Sequence, residues 1–515
     1  MQYRVAAALA VAAFGLRLAL QPAERWTIVE GRILLDEAEL GVPHHPPLMY
    51  AINALLNALP THALRWLIPL EYESLHSAAQ KLAASRLNGS TDGSLHRLLS
   101  RDDLAPASQT IAGWPAGGLS PIAAGLDALL ADVDGAPGAR SRPHGAAASA
   151  GGVATLSPLG RFMAQQQVIG AMSQQMMLSA LLARPELGEA IRNTPLRRPI
   201  VIVGPPRTGT TYLHRLLACH PGTRHLPYFE ALESVAPLGL EATRIGEPAH
   251  DARVGRTDQA MEFIHLLRPL FSKMHVMGSS VPFEDMQLSG HCFSSLLWDA
   301  SIGDLPTYSA WYAARPQEAG YLCIRRFLQL IERQHAGADG GADGGARELR
   351  SWVLKTPQHA LRLKEIHAVF PDAVVVHTAR DGASTLRSLL PMLSYALGVQ
   401  NQKVELAPFG ADWMRRVGEM MCAQQRDRHL FPDAVDVPFD SFVGNSTATL
   451  RLAERVLRAA GLATDAASMA PLVDFLAAED ARVGGGSRAQ FRYDVAAFGL
   501  TEEKVRAAFA AEMAC

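Results

Sequence analysis

The sequence predicts an α/β fold, three layers on a central parallel sheet, preceded by a mainly helical N-terminal region. From residue 198 onward, short apolar runs of strand length, IVIV (200–203), WVLKTP (352–357) and AVVVHTAR (373–380), alternate with segments of helical spacing. Between the last two runs, Leu363, Ile366 and Phe370 recur at helical intervals and Pro371-Asp372 ends the pattern. That is a strand-helix-strand unit, which implies parallel strands and a right-handed crossover. Upstream, MYAINALLNAL, LHSAAQKLAASRL and FMAQQQVIGAMSQQMMLSALL carry apolar residues at helical spacing.

In chain order, residues 1–103 read as a helical N-terminal region and 104–157 as a low-complexity Ala/Gly/Pro insertion or linker. Residues 158–194 read as a helical lead-in and 195–515 as the α/β domain. A chain of 515 residues exceeds what a single core usually supports. MQYR followed by VAAALAVAAFGL is broken by Arg17, short of the ~20 apolar residues that span a bilayer. It reads as an Ala-rich helix packed on the protein or in peripheral contact with a membrane surface, a short signal or anchor being the alternative. The methionines of the lead-in (Met163, Met172, Met176, Met177) read as core filler. HAGADGGADGGAR (335–347) reads as a polar loop, VDVPFDSF as a further strand, and TLRLAERVLRAAGL as a helix stopped by Gly461.

Acidic and basic residues nearly cancel, 50 against 48, so the net charge of −2 argues against nucleic acid as a partner and leaves any anion site local. Five cysteines (Cys219, Cys292, Cys323, Cys422, Cys515) are scattered without a C-x-x-C pair. This pattern fits a reducing, cytoplasmic setting without a disulfide framework or zinc ribbon. His44-His45-Pro46-Pro47 reads as a surface turn, and no metal site is expected.

The stretch VGPPRTGTTYLHRLL (203–217) runs from strand through a tight loop into a helix, which aims backbone N–H groups and a helix N-terminus at an anion. The nucleotide-triphosphate loop G-x-x-x-x-G-K-[ST] would place lysine where Thr210 stands. Gly209 lets backbone approach an anion, Thr208, Thr210 and Thr211 add hydroxyls, and Arg207 adds a permanent cation with a planar fork of donors. The bland alternative is a capped helix start. Without the lysine the loop is poorly equipped for phosphoryl transfer from ATP.

PPRTGTTYL resembles the 5′-phosphosulfate loop of sulfotransferases that use 3′-phosphoadenosine 5′-phosphosulfate (PAPS), P-[KR]-[ST]-G-T-T with an aromatic or aliphatic residue next, here Tyr212. HTARDGASTLRSLL (377–390) resembles the family's 3′-phosphate motif, a strand-ending arginine and a serine eight residues on, here Arg380 and Ser388. Ser384, one turn earlier, is the competing hydroxyl. The arginine-containing loop is similar to the bacterial and tyrosylprotein branch, where an H-P-x-x-R turn precedes a glutamate base. This chain has His220-Pro221-Gly222-Thr223-Arg224 and then Glu230, at a longer spacing. LKTPQH is similar to the branch's lysine signature and supplies Lys355, while His359 occupies the place of a rival histidine base. The segment PFEDMQLSGHCF (282–293) carries an acidic pair and resembles a family helix near the acceptor, or equally a solvated helix start.

The likeness covers roughly residues 195–505 and implies a P-loop-like sulfotransferase fold with PAPS as sulfuryl donor and no metal. Arg207 and Lys355 would stabilise charge on the leaving phosphate, with Glu230 or His359 as base. The implied acceptor is the hydroxyl or phenol of a small molecule, lipid, glycan or peptide. The alternatives are another P-loop enzyme such as a small-molecule kinase, or a non-catalytic nucleotide-binding protein of the same fold.

Overall fold

The structure is a computed structural model that describes residues 26–29, 32–35, 72–87, 121–133, 154–237, 240–336, 349–484 and 494–512. Strand β1 (Arg197–Val203) lies at the centre of a five-stranded sheet with β2 (Thr223–Arg224), β3 (Ser351–Lys355), β4 (Val374–Ala379) and β5 (Val435–Pro438). The order is β2-β3-β1-β4-β5, and every pairing is parallel. A central parallel strand is covered on both faces, which is why residues 200–203 are apolar without alternation.

Successive side chains leave a strand on opposite faces, and each face here has its own helical layer. Ile200, Ile202, Val353, Val374, Val376 and Val437 share a cluster with Leu213, Leu216, Val456 and Leu472. These come from helices α1 (Thr210–Leu217), α5 (Ser446–Ala459) and α6 (Ala466–Gly484). Val201, Val203, Trp352, Leu354 and Val375 face the other way, into a cluster with Ile324, Phe327, Leu328 and Ile331. Those four belong to α3 (Glu318–Ala336), and the layer is thickened by the helix Pro158–Ala183. The expected three-layer α/β architecture with a parallel sheet is the one observed. The long helix starts at Ser157, whose hydroxyl accepts from the Gly160 N–H at 2.9 Å, and Met172, Met176 and Met177 are buried in the core.

Several elements depart from what composition suggested. Within the Ala/Gly-rich stretch, Pro121–Val133 is a helix whose Asp132 carboxylate accepts from the N–H groups of Thr307 and Tyr308, at 3.2 and 2.9 Å. It thereby caps the helix Pro306–Ala314. Ala154–Leu156 pairs antiparallel with Asn401–Val404, and Trp26–Val29 pairs with Arg32–Leu35. Cys292 and Cys323 form a disulfide across a sequence separation of 31, which corrects the expectation of no disulfide. Packing of Met286–Gly290 against α3 brings their Cα atoms to 6.6 Å, and spacing along the chain carries no trace of that approach. The N-terminal apolar run, MYAINALLNAL, His44-His45 and residues 337–347 of the Gly/Asp loop lie outside the described residues. No helix among the described residues is long and apolar enough to cross a membrane.

Candidate active site

The loop leaving β1 is shaped by two left-handed residues, Arg207 (φ 67°) and Gly209 (φ 87°). Arginine rarely adopts this conformation, and such strain clusters at ligand-binding loops. Gly204 is required by close approach, since a Cβ there would stand 2.0 Å from Thr378 Oγ1 on β4. Thr208 is buried: its hydroxyl donates to the Pro205 carbonyl at 2.7 Å and lies 2.6 Å from Thr378 Oγ1. Its role is therefore to brace the loop from inside. A Cβ on Gly209 would meet Phe442 Cζ at 2.6 Å. At Gly209 α1 begins with no side-chain cap, so its first N–H groups and positive dipole end have no partner from a capping side chain. Thr210 is buried, Thr211 half-buried, and Tyr212 packs near Phe442 and Phe475, with ring centroids 6.1 and 5.9 Å away.

The second loop meets the first directly. Arg380, just past β4, donates from Nη1 to the Arg207 carbonyl at 2.9 Å, and its guanidinium stacks over the Phe439 ring at 4.0 Å. Arg207 Nε donates to Ser388 Oγ at 2.9 Å, two turns into α4 (Gly382–Leu397). Ser384 accepts instead from Arg387 at 3.0 Å, so Ser388 is the hydroxyl brought to the first loop. Burial and then the like charge of Arg207 push the Arg380 pKa below its ordinary value. The two arginines are thus held close together despite their like charge, an arrangement whose chemistry suits a multiply charged anion.

Lys355 ends β3 in register with Ile202, beside the loop. Its side chain is 2% exposed, and Nζ lies 3.3 Å from Thr211 Oγ1 and 2.5 Å from Glu284 Oε1. The Lys355 backbone N–H donates to Asp285 Oδ1 at 2.8 Å. Asp285 Oδ2 lies 3.2 Å from His359 Nε2, and His359 Nδ1 lies 2.8 Å from the Tyr321 hydroxyl. Burial raises the Tyr321 pKa well above normal, so the hydroxyl keeps its proton beside His359.

Glu230 joins a different cluster. It sits on the short helix α2 (Tyr228–Leu232), 1% exposed, with Oε1 2.6 Å from His335 Nε2 and Oε2 3.6 Å from Arg224 Nη2. Arg224 also pairs with Glu332 at 3.2 Å and stacks over Trp352 at 4.5 Å. Burial alone would raise the Glu230 pKa, but the His335 hydrogen bond and charge, then Arg224 and Arg253, hold it below the ordinary 4.5. The structure thus brings Arg207, Thr211, Lys355, Arg380 and Ser388 into one site, with Thr208 beneath it. The carboxylate at Lys355 belongs to Glu284. Its signal in the sequence was the acidic pair of PFEDM, which local pattern alone does not separate from a solvated helix start.

Comparison with known proteins adds to this geometry. The Sulfotransferase family model matches residues 199–466. A sulfotransferase, STF1, from Mycobacterium tuberculosis H37Rv is 23% identical with a TM-score of 0.59, over 80% of this chain and 99% of its own. A second, STF9 from Mycobacterium avium, is 20% identical with a TM-score of 0.59, over 81% and 96%. At these identities the two structures speak for the fold. The search of curated proteins gives no match.

Proposed function

Because the chain belongs to the sulfotransferase family, as the family match over half of its length shows, we propose that it moves a sulfuryl group from PAPS to a hydroxyl or phenol. The observation that carries this reading is the joining of two loops through one residue: Arg207 of the first donates to Ser388 and accepts from Arg380 of the second. The donor set fits a nucleotide that is anionic at both ends. Arg380 and Ser388 would hold the 3′-phosphate. Lys355, Thr211, Arg207 and the uncapped start of α1 would hold the 5′-phosphosulfate. When bound, the donor supplies the sulfuryl group and a phosphate as leaving group.

The chain's own part is electrostatic. Lys355 and Arg207 are fixed in place by Glu284, Thr211 and Ser388, so they can stabilise charge on the leaving phosphate with little reorganisation. The acceptor is a hydroxyl of a small molecule, lipid, glycan or peptide.

Thermal unfolding with 3′-phosphoadenosine 5′-phosphate, beside AMP and Mg-ATP, tests the reading. At a hundred times its dissociation constant a ligand adds about 2.7 kcal/mol of stability. Selective stabilisation by the 3′-phosphorylated nucleotide, lost in Arg380→Ala, is expected. No shift with that nucleotide, or an equal one with Mg-ATP, would overturn the reading in favour of a kinase-like enzyme.

A further inference from the structure

Lys355 bridges Thr211 and Glu284, so a carboxylate stands one ammonium group away from the loop assigned to the phosphosulfate. The Glu284 side chain keeps 13% of its surface exposed, whereas those of Glu230 and His359 keep 1% each. Both Glu230 oxygens are engaged, by His335 and Arg224, and both His359 nitrogens face buried protein groups, Tyr321 and Asp285. The backbone that carries Glu284 is held from both sides. Phe283 N–H donates to the Leu226 carbonyl at 2.8 Å, the Phe283 ring stacks on Tyr228 with centroids 3.7 Å apart, and Pro282 bridges to Pro227. On its other side Asp285 accepts from the Lys355 N–H. A base must reach its proton and must be aimed; Glu284 meets both conditions.

We propose that Glu284 is the general base that takes the acceptor's proton, with Asp285, His359 and Tyr321 as the buried residues that position it against Lys355. This rests on the sulfuryl-transfer reading above. In the step, the hydroxyl proton passes to the Glu284 carboxylate while the acceptor oxygen forms a bond to sulfur. The bond from sulfur to the 5′-phosphate oxygen breaks, and its electron pair leaves with the phosphate. Lys355 links the two ends: its ammonium contacts both Glu284 and Thr211 of the phosphosulfate loop, so one cation holds the base beside the site of the leaving phosphate.

The test uses the full chain and acceptors of falling acidity, 4-nitrophenol, phenol and an aliphatic alcohol, with PAPS as donor. In parallel, affinity for 3′-phosphoadenosine 5′-phosphate is measured by calorimetry. Glu284→Gln is expected to keep that affinity within about threefold and to lose roughly 10²- to 10⁴-fold in kcat on the alcohol. On 4-nitrophenol, roughly half ionised at neutral pH and so least in need of a base, the loss stays below about tenfold. His359→Asn loosens the positioning of Glu284, so a smaller loss that follows the same order of acceptors is expected beside the larger one in Glu284→Gln. His275 is the rival base, because Lys355, Glu284 and Arg207 all act on its charge. An equal loss on all acceptors in Glu284→Gln overturns the assignment, as does the acceptor-dependent loss appearing in His275→Gln or His359→Asn instead. A wild-type protein that fails to bind the nucleotide overturns the sulfuryl-transfer reading itself.

Discussion

Arg207 Nε donates to Ser388 Oγ across 2.9 Å, so two loops 181 residues apart in sequence share one hydrogen bond at the floor of the site. A contact of this kind couples the two residues energetically. Ser388→Ala should weaken 3′-phosphoadenosine 5′-phosphate more than AMP, because the serine serves the 3′ end. A double-mutant cycle with Arg207→Ala, read by calorimetry, should give a coupling energy of about 0.5–3 kcal/mol for the 3′-phosphorylated nucleotide. Strict additivity would mean that the contact lies outside the nucleotide site.

Glu230 is expected to matter for stability first. It is a buried carboxylate paired with His335 and Arg224, so Glu230→Gln removes one partner from a buried charged cluster, which costs about 3–5 kcal/mol. Its pKa is depressed in the folded protein, so its contribution is present above the ordinary carboxylate value of 4.5 and fades as the pH falls through the folded value. Chemical denaturation from pH 7 to pH 3 should show the variant less stable at neutral pH and converging on the parent in acid. A constant difference across that range would place the effect elsewhere than in the ionised carboxylate.

The parts of this molecule that were legible in the sequence are those governed by local rules. The apolar runs at 200–203 and 373–376 name strands buried on both faces, and Gly204 and Gly209 mark a turn whose backbone must pass close to Thr378 and Phe442. Arg380 and Ser388 were picked out through resemblance to a known motif, and a strand end followed by a helix face keeps such a motif compact in the chain. Glu284 was harder: its pairing with Lys355 spans 71 residues and depends on the 279–283 segment docking against 226–229. The Cys292–Cys323 disulfide and the helix Pro121–Val133 were hidden for the same reason. Long-range packing decided each of them, and alanine-rich composition reads alike in a linker and in a buried helix.

His291 offers a pH dependence of defined sign. Its ring is buried under α2, with Nε2 2.9 Å from the Ala231 carbonyl, and burial pushes its pKa down from the ordinary 6.5 to about 4, offset only in part by that carbonyl. In the unfolded chain the histidine binds a proton below about pH 6.5, whereas the folded protein keeps it neutral down to about 4. The unfolded state therefore holds more protons throughout that window, and stability must fall as the pH drops across it. One group of this kind adds a slope of up to about 1.4 kcal/mol per pH unit. His291→Gln keeps a donor for the Ala231 carbonyl and removes the titration, so unfolding free energies measured in urea between pH 7 and 4 should lose part of their slope while changing little at pH 7. An unchanged slope would show that His291 does not carry the proton uptake on unfolding in this range. His377, also buried and lowered to about 4, would then carry the remaining acid sensitivity, and His377→Asn would be the variant that flattens the curve.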